Sequence, residues 1–182
     1  ESEFNISNYA IYNEFKIDTD QLDVIFNGRL ESMDIDYSAI HYHEDQYPST
    51  TLRSNSLSSN LLGGRFAIIY KLNDQNNLFL NFSTGYKSGG INQNPRLSEE
   101  NQTYAPENNS NIDIGFRFKN NIMSFNITTF YMDRKDLQIT LSTQQDENNP
   151  NSFYFYTSNA SEGNNYGINM NLQFIPNLLF SS

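Results

Sequence analysis

Apolar and polar residues alternate along much of this chain with a period of two, the spacing of a β-strand whose side chains point to opposite faces. From Met123, one frame holds Met123, Phe125, Ile127, Thr129 and Tyr131, and the other holds Ser124, Asn126 and Thr128. Leu78, Leu80, Phe82, Thr84 and Tyr86 alternate with Asn81, Ser83, Gly85 and Lys87. Ile112, Ile114, Phe116 and Phe118 alternate with Asn111, Asp113, Gly115, Arg117 and Lys119. Tyr166, Ile168, Met170, Leu172 and Phe174 alternate with Asn165, Gly167, Asn169, Asn171 and Gln173. Each such strand has one apolar and one polar face. Near Ser32 the apolar frame slips, from Leu22, Val24, Phe26 and Leu30 to Met33, Ile35, Tyr37 and Ala39. A β-bulge there would account for the slip.

The pattern predicts strands at about 4–17, 21–42, 59–72, 78–90, 108–119, 122–141 and 153–175, with an eighth opening at Leu178-Leu179-Phe180. Short links (18–20, 73–77, 120–121 and 176–177) alternate with long ones rich in Asn, Ser, Pro and acids (43–58, 90–107 and 142–152). Short turns at one end and long loops at the other are the connections of outer-membrane barrels. The expected fold is therefore all-β, an antiparallel meander of about seven to eight long strands forming part of a transmembrane β-barrel. Several strands exceed the roughly 9 to 11 residues a tilted span needs, so they should project beyond the bilayer. Tyr70, Tyr86, Tyr131 and Tyr166 lie near strand ends, where interfacial aromatic girdles form. A soluble sandwich, with these rings in its core, is the rival arrangement.

Composition narrows the classes. No apolar run approaches the roughly 20 residues of a membrane-spanning helix, whereas alternation lets a barrel strand pass unnoticed in any window average. The 14 Phe and 12 Tyr favour strands. A net charge of -10 argues against nucleic acid, which requires a basic face. With no cysteine there is neither disulfide nor thiolate chemistry. The sequence carries no Gly-x-Ser-x-Gly elbow, phosphate-binding glycine loop or His-Glu-x-x-His, so no catalytic residues are assigned and no enzyme is expected.

Several motifs point further. The run Asn77-Leu78-Phe79-Leu80-Asn81-Phe82-Ser83-Thr84-Gly85-Tyr86-Lys87-Ser88-Gly89-Gly90-Ile91-Asn92 resembles the barrel of TonB-dependent outer-membrane receptors, in which a strand closes with Gly-aromatic-Lys-Ser-Gly-Gly-aromatic-Asn before a long outer loop. Here Ile91 replaces the second aromatic. Tyr104-Ala105-Pro106-Glu107 is similar to the family's Phe-x-Pro-Glu, and the strand around Gly115 to its Glu-x-Gly-x-Lys, with Asn111 and Asp113 where a Tyr-Glu pair is usual. Phe130-Tyr131 followed by Asp133 and by Asp136-Leu137-Gln138 resembles an aromatic pair with Asp and Asp-x-Gln. Asn159-Ala160 followed by Gly167 resembles Asn-Ala…Gly-x-Glu, with Asn169 in place of the acid. The motifs keep their order over about residues 60–182, and residues 1–60 fit by strand pattern alone.

The resemblance implies energised import of iron-siderophore complexes or similar nutrients across the outer membrane of a Gram-negative bacterium. It implies a 22-stranded barrel in outer-membrane lipid, around a plug through which the TonB complex acts. No plug is recognisable, so residues 1–182 are expected to be a fragment of the barrel domain that transports nothing by itself. No cofactor is expected. A passive porin and a soluble carbohydrate-binding β-sandwich are the alternatives. Lys87 falls in the lumen-side frame, where an anionic ligand or the plug would meet it, and Arg96 and Tyr104 lie in the longest loop, placed to touch an iron chelate. His41 and His43 share one face of a strand end, a spacing able to contact haem or metal, but no third ligand is visible and no metal site is assigned. Gly89-Gly90 is expected to supply positive φ where strand becomes loop.

Overall fold

The computed structural model describes residues 2–42, 50–94, 97–144, 148–149 and 151–174. The chain meanders through β1 (Ser2–Asp18), β2 (Leu22–Tyr42), β3 (Thr50–Asn73) and β4 (Asn76–Lys87). Between Lys87 and Glu107 come β5 (Gly90–Ile91), a 3-10 turn at Glu99–Asn101 and β6 (Thr103–Tyr104). The meander resumes with β7 (Glu107–Lys119), β8 (Met123–Gln144) and β9 (Phe153–Phe174). Seven strands form one sheet in the order β1-β2-β3-β4-β7-β8-β9, every neighbour antiparallel, while β5 and β6 make a separate ribbon.

Side chains tie the tight turns. Thr19 Oγ1 donates to the Leu22 carbonyl and accepts from its N–H. Asn120 Oδ1 accepts from Ile122 N and Met123 N at 2.9 and 2.8 Å. Short polar side chains that bond their own backbone two or three residues on are what such turns require.

Cross-strand partners share a face, so the register sorts every side chain. Phe15, Phe26, Phe66, Phe82, Ile112, Tyr131 and Tyr166 are successive partners across all seven strands. This row and its neighbours, among them Leu80, Ile114, Ile168, Met170 and Leu172, form one continuous apolar face that stays exposed. The apolar stretches Leu22–Leu30, Met123–Tyr131 and Tyr166–Phe174 are nine residues each, the length of a tilted membrane-spanning strand. The opposite face carries Arg65, Asn81, Asp113, Arg117, Asn126 and Asn171. Among the described residues no second sheet covers the apolar side. The chain is thus a partial barrel wall and not a sandwich.

The expected bulge at Ser32 is absent. Tyr9, Ser32 and Asn60 pair in a register unbroken from Leu22 to Tyr42. What changes at that point is which face is dry. Below Ser32 the apolar residues of β2 lie on the exposed apolar face; above it Met33, Ile35, Tyr37 and Ala39 lie on the other face and pack beneath Ile91 of β5. The third strand also begins at Thr50 and not near 59, because Ser54, Ser56 and Ser58 pair with β2 on an exposed face and the covered face receives the polar Arg53 and Asn55, so no apolar alternation marks the strand.

Aromatic rings fill the glycine gaps on the polar face. Phe79 lies over its partner Gly115, where a Cβ would meet the ring at 2.3 Å and the Ile127 carbonyl at 2.5 Å. Arg117 stacks on the same Phe79 ring, 5.6 Å from its centroid. Gly28 has no such neighbour, its nearest side-chain atom lying 3.9 Å from a built Cβ. Gly115→Ala in the full-length protein should therefore destabilise it by about 1–3 kcal/mol through overpacking, read as a lower denaturant midpoint. Gly28→Ala should leave the midpoint nearly unchanged.

Candidate functional site

The polar face is crossed by residues 88–106, the link that carries β5 and β6, and most motif residues meet where this link leaves and rejoins the sheet. At its base Gln138 Nε2 donates to the carbonyls of Ser88 and Ala105 at 2.7 and 3.1 Å. Asn159 treats Ala105 as a strand partner would, accepting from its N–H at 2.8 Å and donating to its carbonyl at 3.0 Å. The same Asn159 amide donates to Asp136 O at 2.7 Å. Asp136 has a φ of 54°, a left-handed conformation that Asp tolerates better than most residues, and the ladder of β8 with β9 skips that residue. Beyond Asn108 and Lys135, where the ladder of β7 with β8 ends, Gln138 N donates to the Glu107 carboxylate at 2.9 Å.

Glu107, 6 % exposed, also receives Arg134 through both Nε and Nη2. It stands above the apolar band, level with Asn108, Lys135 and Glu162 on the opposite face. The Gln138 N–H and the Arg134 guanidinium hold its carboxyl below the usual carboxylate range, against the upward effect of burial.

Farther along, Asn92 Nδ2 donates to Thr157 O at 2.7 Å while its Oδ1 accepts from Thr157 N at 2.9 Å, 65 residues away. On the other side of the sheet Arg53, only 7 % exposed, donates to the carbonyls of Asn94 and Asn92 at 2.6 Å each and stacks on Tyr37. Asn55 donates to Gln102 Oε1 at 2.9 Å. The link is thus joined to β3 at one margin and to β8 and β9 at the other.

Gly89 and Gly90 serve close approach. No glycine among the described residues has positive φ, contrary to the expectation from sequence. A Cβ on Gly89 would meet the Tyr104 carbonyl at 2.5 Å, and one on Gly90 would meet the Tyr104 hydroxyl at 2.3 Å. Tyr104 is accordingly packed across the ribbon. Lys87 ends β4 opposite Glu107 on the polar face and is exposed. Pro106 enters β7, Ala160 pairs with Leu137, Gly167 lies beneath Phe130, and Gly85 lies against Asn109. His41 pairs by its backbone with Thr51, but its side chain, and all of His43 and Arg96, lie outside the described residues.

Tyr86 departs from the girdle role. Parity places it with Thr84 on the apolar face, yet the ladder of β3 with β4 stops at Gly64–Thr84, and the ring lies over Gly63 on the polar face. Its hydroxyl donates to Glu31 at 2.5 Å, and Arg29 and Asn8 donate to the same carboxylate at 2.6 and 2.7 Å. Sequence reasoning missed Glu31, Arg29, Arg53, Arg134 and Thr157. For Arg53 and Glu31 the signal was the frame slip at Ser32, which marks the strand entering cover. Among the described residues no group of three His, Cys, Asp or Glu is placed to hold a metal.

Because the Glu107 carboxyl titrates lower folded than unfolded, its contribution is complete above the usual carboxylate range and is lost as pH falls through the depressed value. Cleavage within 88–106 by an acid protease should rise as pH drops from about 5 to about 2. In Glu107→Gln the cleavage should be higher at pH 5 and change less across the same interval.

The fold has counterparts in solved structures. The ferric yersiniabactin uptake receptor FyuA from Yersinia pestis is 18% identical with a TM-score of 0.74, over 99% of this chain and 25% of its own. The ferric-catecholate import receptor Fiu from K12 E. coli is 14% identical with a TM-score of 0.69, over 95% of this chain and 26% of its own. The copper transporter OprC is 11% identical with a TM-score of 0.67, over 93% of this chain and 26% of its own. The chain therefore spans about a quarter of the length of these proteins. No curated protein matches it by sequence. The family model described as TonB dependent receptor-like, beta-barrel matches residues 1–181. An apolar-faced meander with a stitched link on its polar side, matched end to end by that model, belongs to the TonB-dependent receptor β-barrel family, whose members are transport receptors and not enzymes.

Proposed function

We propose that this chain is part of the barrel wall of an outer-membrane receptor of a Gram-negative bacterium, which imports iron-siderophore complexes or similar nutrients with energy delivered through TonB. The observation that carries the reading is the exposed apolar face, backed by a polar face crossed by residues 88–106. An apolar face of that extent is stable only against an apolar medium, and a barrel wall meets lipid on one side and a polar lumen on the other. In this reading Tyr131 and Tyr166, partners at the margin of the apolar band, sit at the lipid headgroups. Residues 1–182 are barrel wall only, and the plug that TonB engages belongs to the rest of the protein.

Lys87, exposed on the lumen face, is the described residue best placed to meet an anionic cargo or the plug. Tyr104 has its ring against Gly90, so its part in cargo binding is to shape the loop that carries Arg96. His41, in the last residues of β2, remains a candidate, as does His43 by its place in the sequence.

Two measurements test the reading. Met170→Arg, at the middle of the apolar band, should cost about 2–4 kcal/mol when the full-length protein folds into lipid vesicles. Asn169→Arg, one residue away on the lumen face, should cost little; equal costs would contradict a lipid-facing band. Cells making the full-length protein should accumulate one of ferric yersiniabactin, a ferric catecholate or copper only while TonB is present. Accumulation that persists without TonB would indicate a passive channel.

A further inference from the structure

We propose that the described residues of the link, 88–94 and 97–106, are a fixed crosspiece of the barrel rim, which keeps its place on the lumen face whether or not cargo is bound. The inference goes beyond the import reading and does not depend on what the protein transports.

Three features carry it. The link is held at both margins, by Arg53 and Asn55 of β3 and by Gln138 of β8 with Thr157 and Asn159 of β9, so it has no free side about which to swing. The anchoring is buried and specific. Arg53, under a tenth exposed, points its guanidinium at the carbonyls of Asn92 and Asn94, and lifting the link would leave that desolvated charge unpaired. The underside is also dry. Ile91 belongs to one buried cluster with Met33, Ile35, Tyr37 and Ala39, and Leu97 is buried as well, so lifting the link would wet this apolar cluster. A gate needs two arrangements of similar free energy, and every one of these contacts favours a single arrangement. The crosspiece thus sets a permanent constriction at the wide mouth of the lumen, and opening and closing fall to other loops.

Hydrogen exchange on the full-length receptor without cargo decides the matter. The amides of Ala105 and Thr157, each bonded between link and wall, should exchange as one slow population, at least about a hundredfold below their intrinsic rates, because they open only when the link leaves the wall. Thr157 is the sharpest probe, since its N–H is satisfied by the side chain of Asn92. In Asn92→Ala, exchange at Thr157 should accelerate at least about tenfold while amides in the apolar band stay unchanged. Near-intrinsic exchange at Ala105 and Thr157 in the wild type, or two populations there, would overturn the proposal. The wild-type result stands by itself if the variant does not fold, and because no cargo enters the assay it is independent of the import reading.

Discussion

Side chains that follow one another on a β-strand cannot share a face, and the rest of this structure depends on that restriction. With the register unbroken along β2, the chain has no means of keeping its apolar residues on one side except to place them at every second position. When the apolar frame moves by one at Ser32, the dry side must therefore move too. Leu30 faces the open apolar side and Met33 faces the crosspiece, and the short interval between them marks where the wall leaves one apolar environment and acquires another made from its own loop.

That account explains what the sequence revealed and what it hid. The strands β4, β7, β8 and β9 were legible where a single face meets an apolar medium, because there the solvent difference writes alternation into the chain, whereas the ribbon of β5 and β6 lay inside what read as a loop. Residues 50–58 were not legible as strand, since Ser54, Ser56 and Ser58 on one side are polar and the covered side is filled by Arg53 and Asn55, which bond the link, with Leu57 its one apolar residue. The slip at Ser32 was read as a bulge because periodicity alone does not distinguish an inserted residue from a change of surroundings. The motif residues were recognisable as words, but Gln138 with Ser88 and Asn92 with Thr157 are partners at 50 and 65 residues' separation, and no local pattern reports such a pairing. Gly89 and Gly90 were assigned a conformational role when their actual role is to clear space for Tyr104.

The asparagine content also has a structural use. A side-chain amide presents the same donor and acceptor as a peptide unit. Asn92 applies it to the backbone of Thr157, and Asn159 applies it to Ala105. In both places a strand edge or a loop residue receives the two bonds that a neighbouring strand would have supplied. Wall and loop are joined by imitation of the ladder, which lets an irregular segment lie against a sheet without stranding backbone groups.

The reach of Asn92 to Thr157 has a consequence for how the wall is put together. Strands of a meander can be added one after another, each pairing with the last, and every ladder of this sheet joins neighbours of that kind. The crosspiece breaks the sequence, since its two moorings belong to the β2–β3 hairpin and the β8–β9 hairpin, which emerge far apart in synthesis. It cannot seat until the last of these strands has arrived. Its docking is therefore a closing step of assembly, and until then the apolar face of Met33, Ile35 and Tyr37 stands uncovered on the growing barrel.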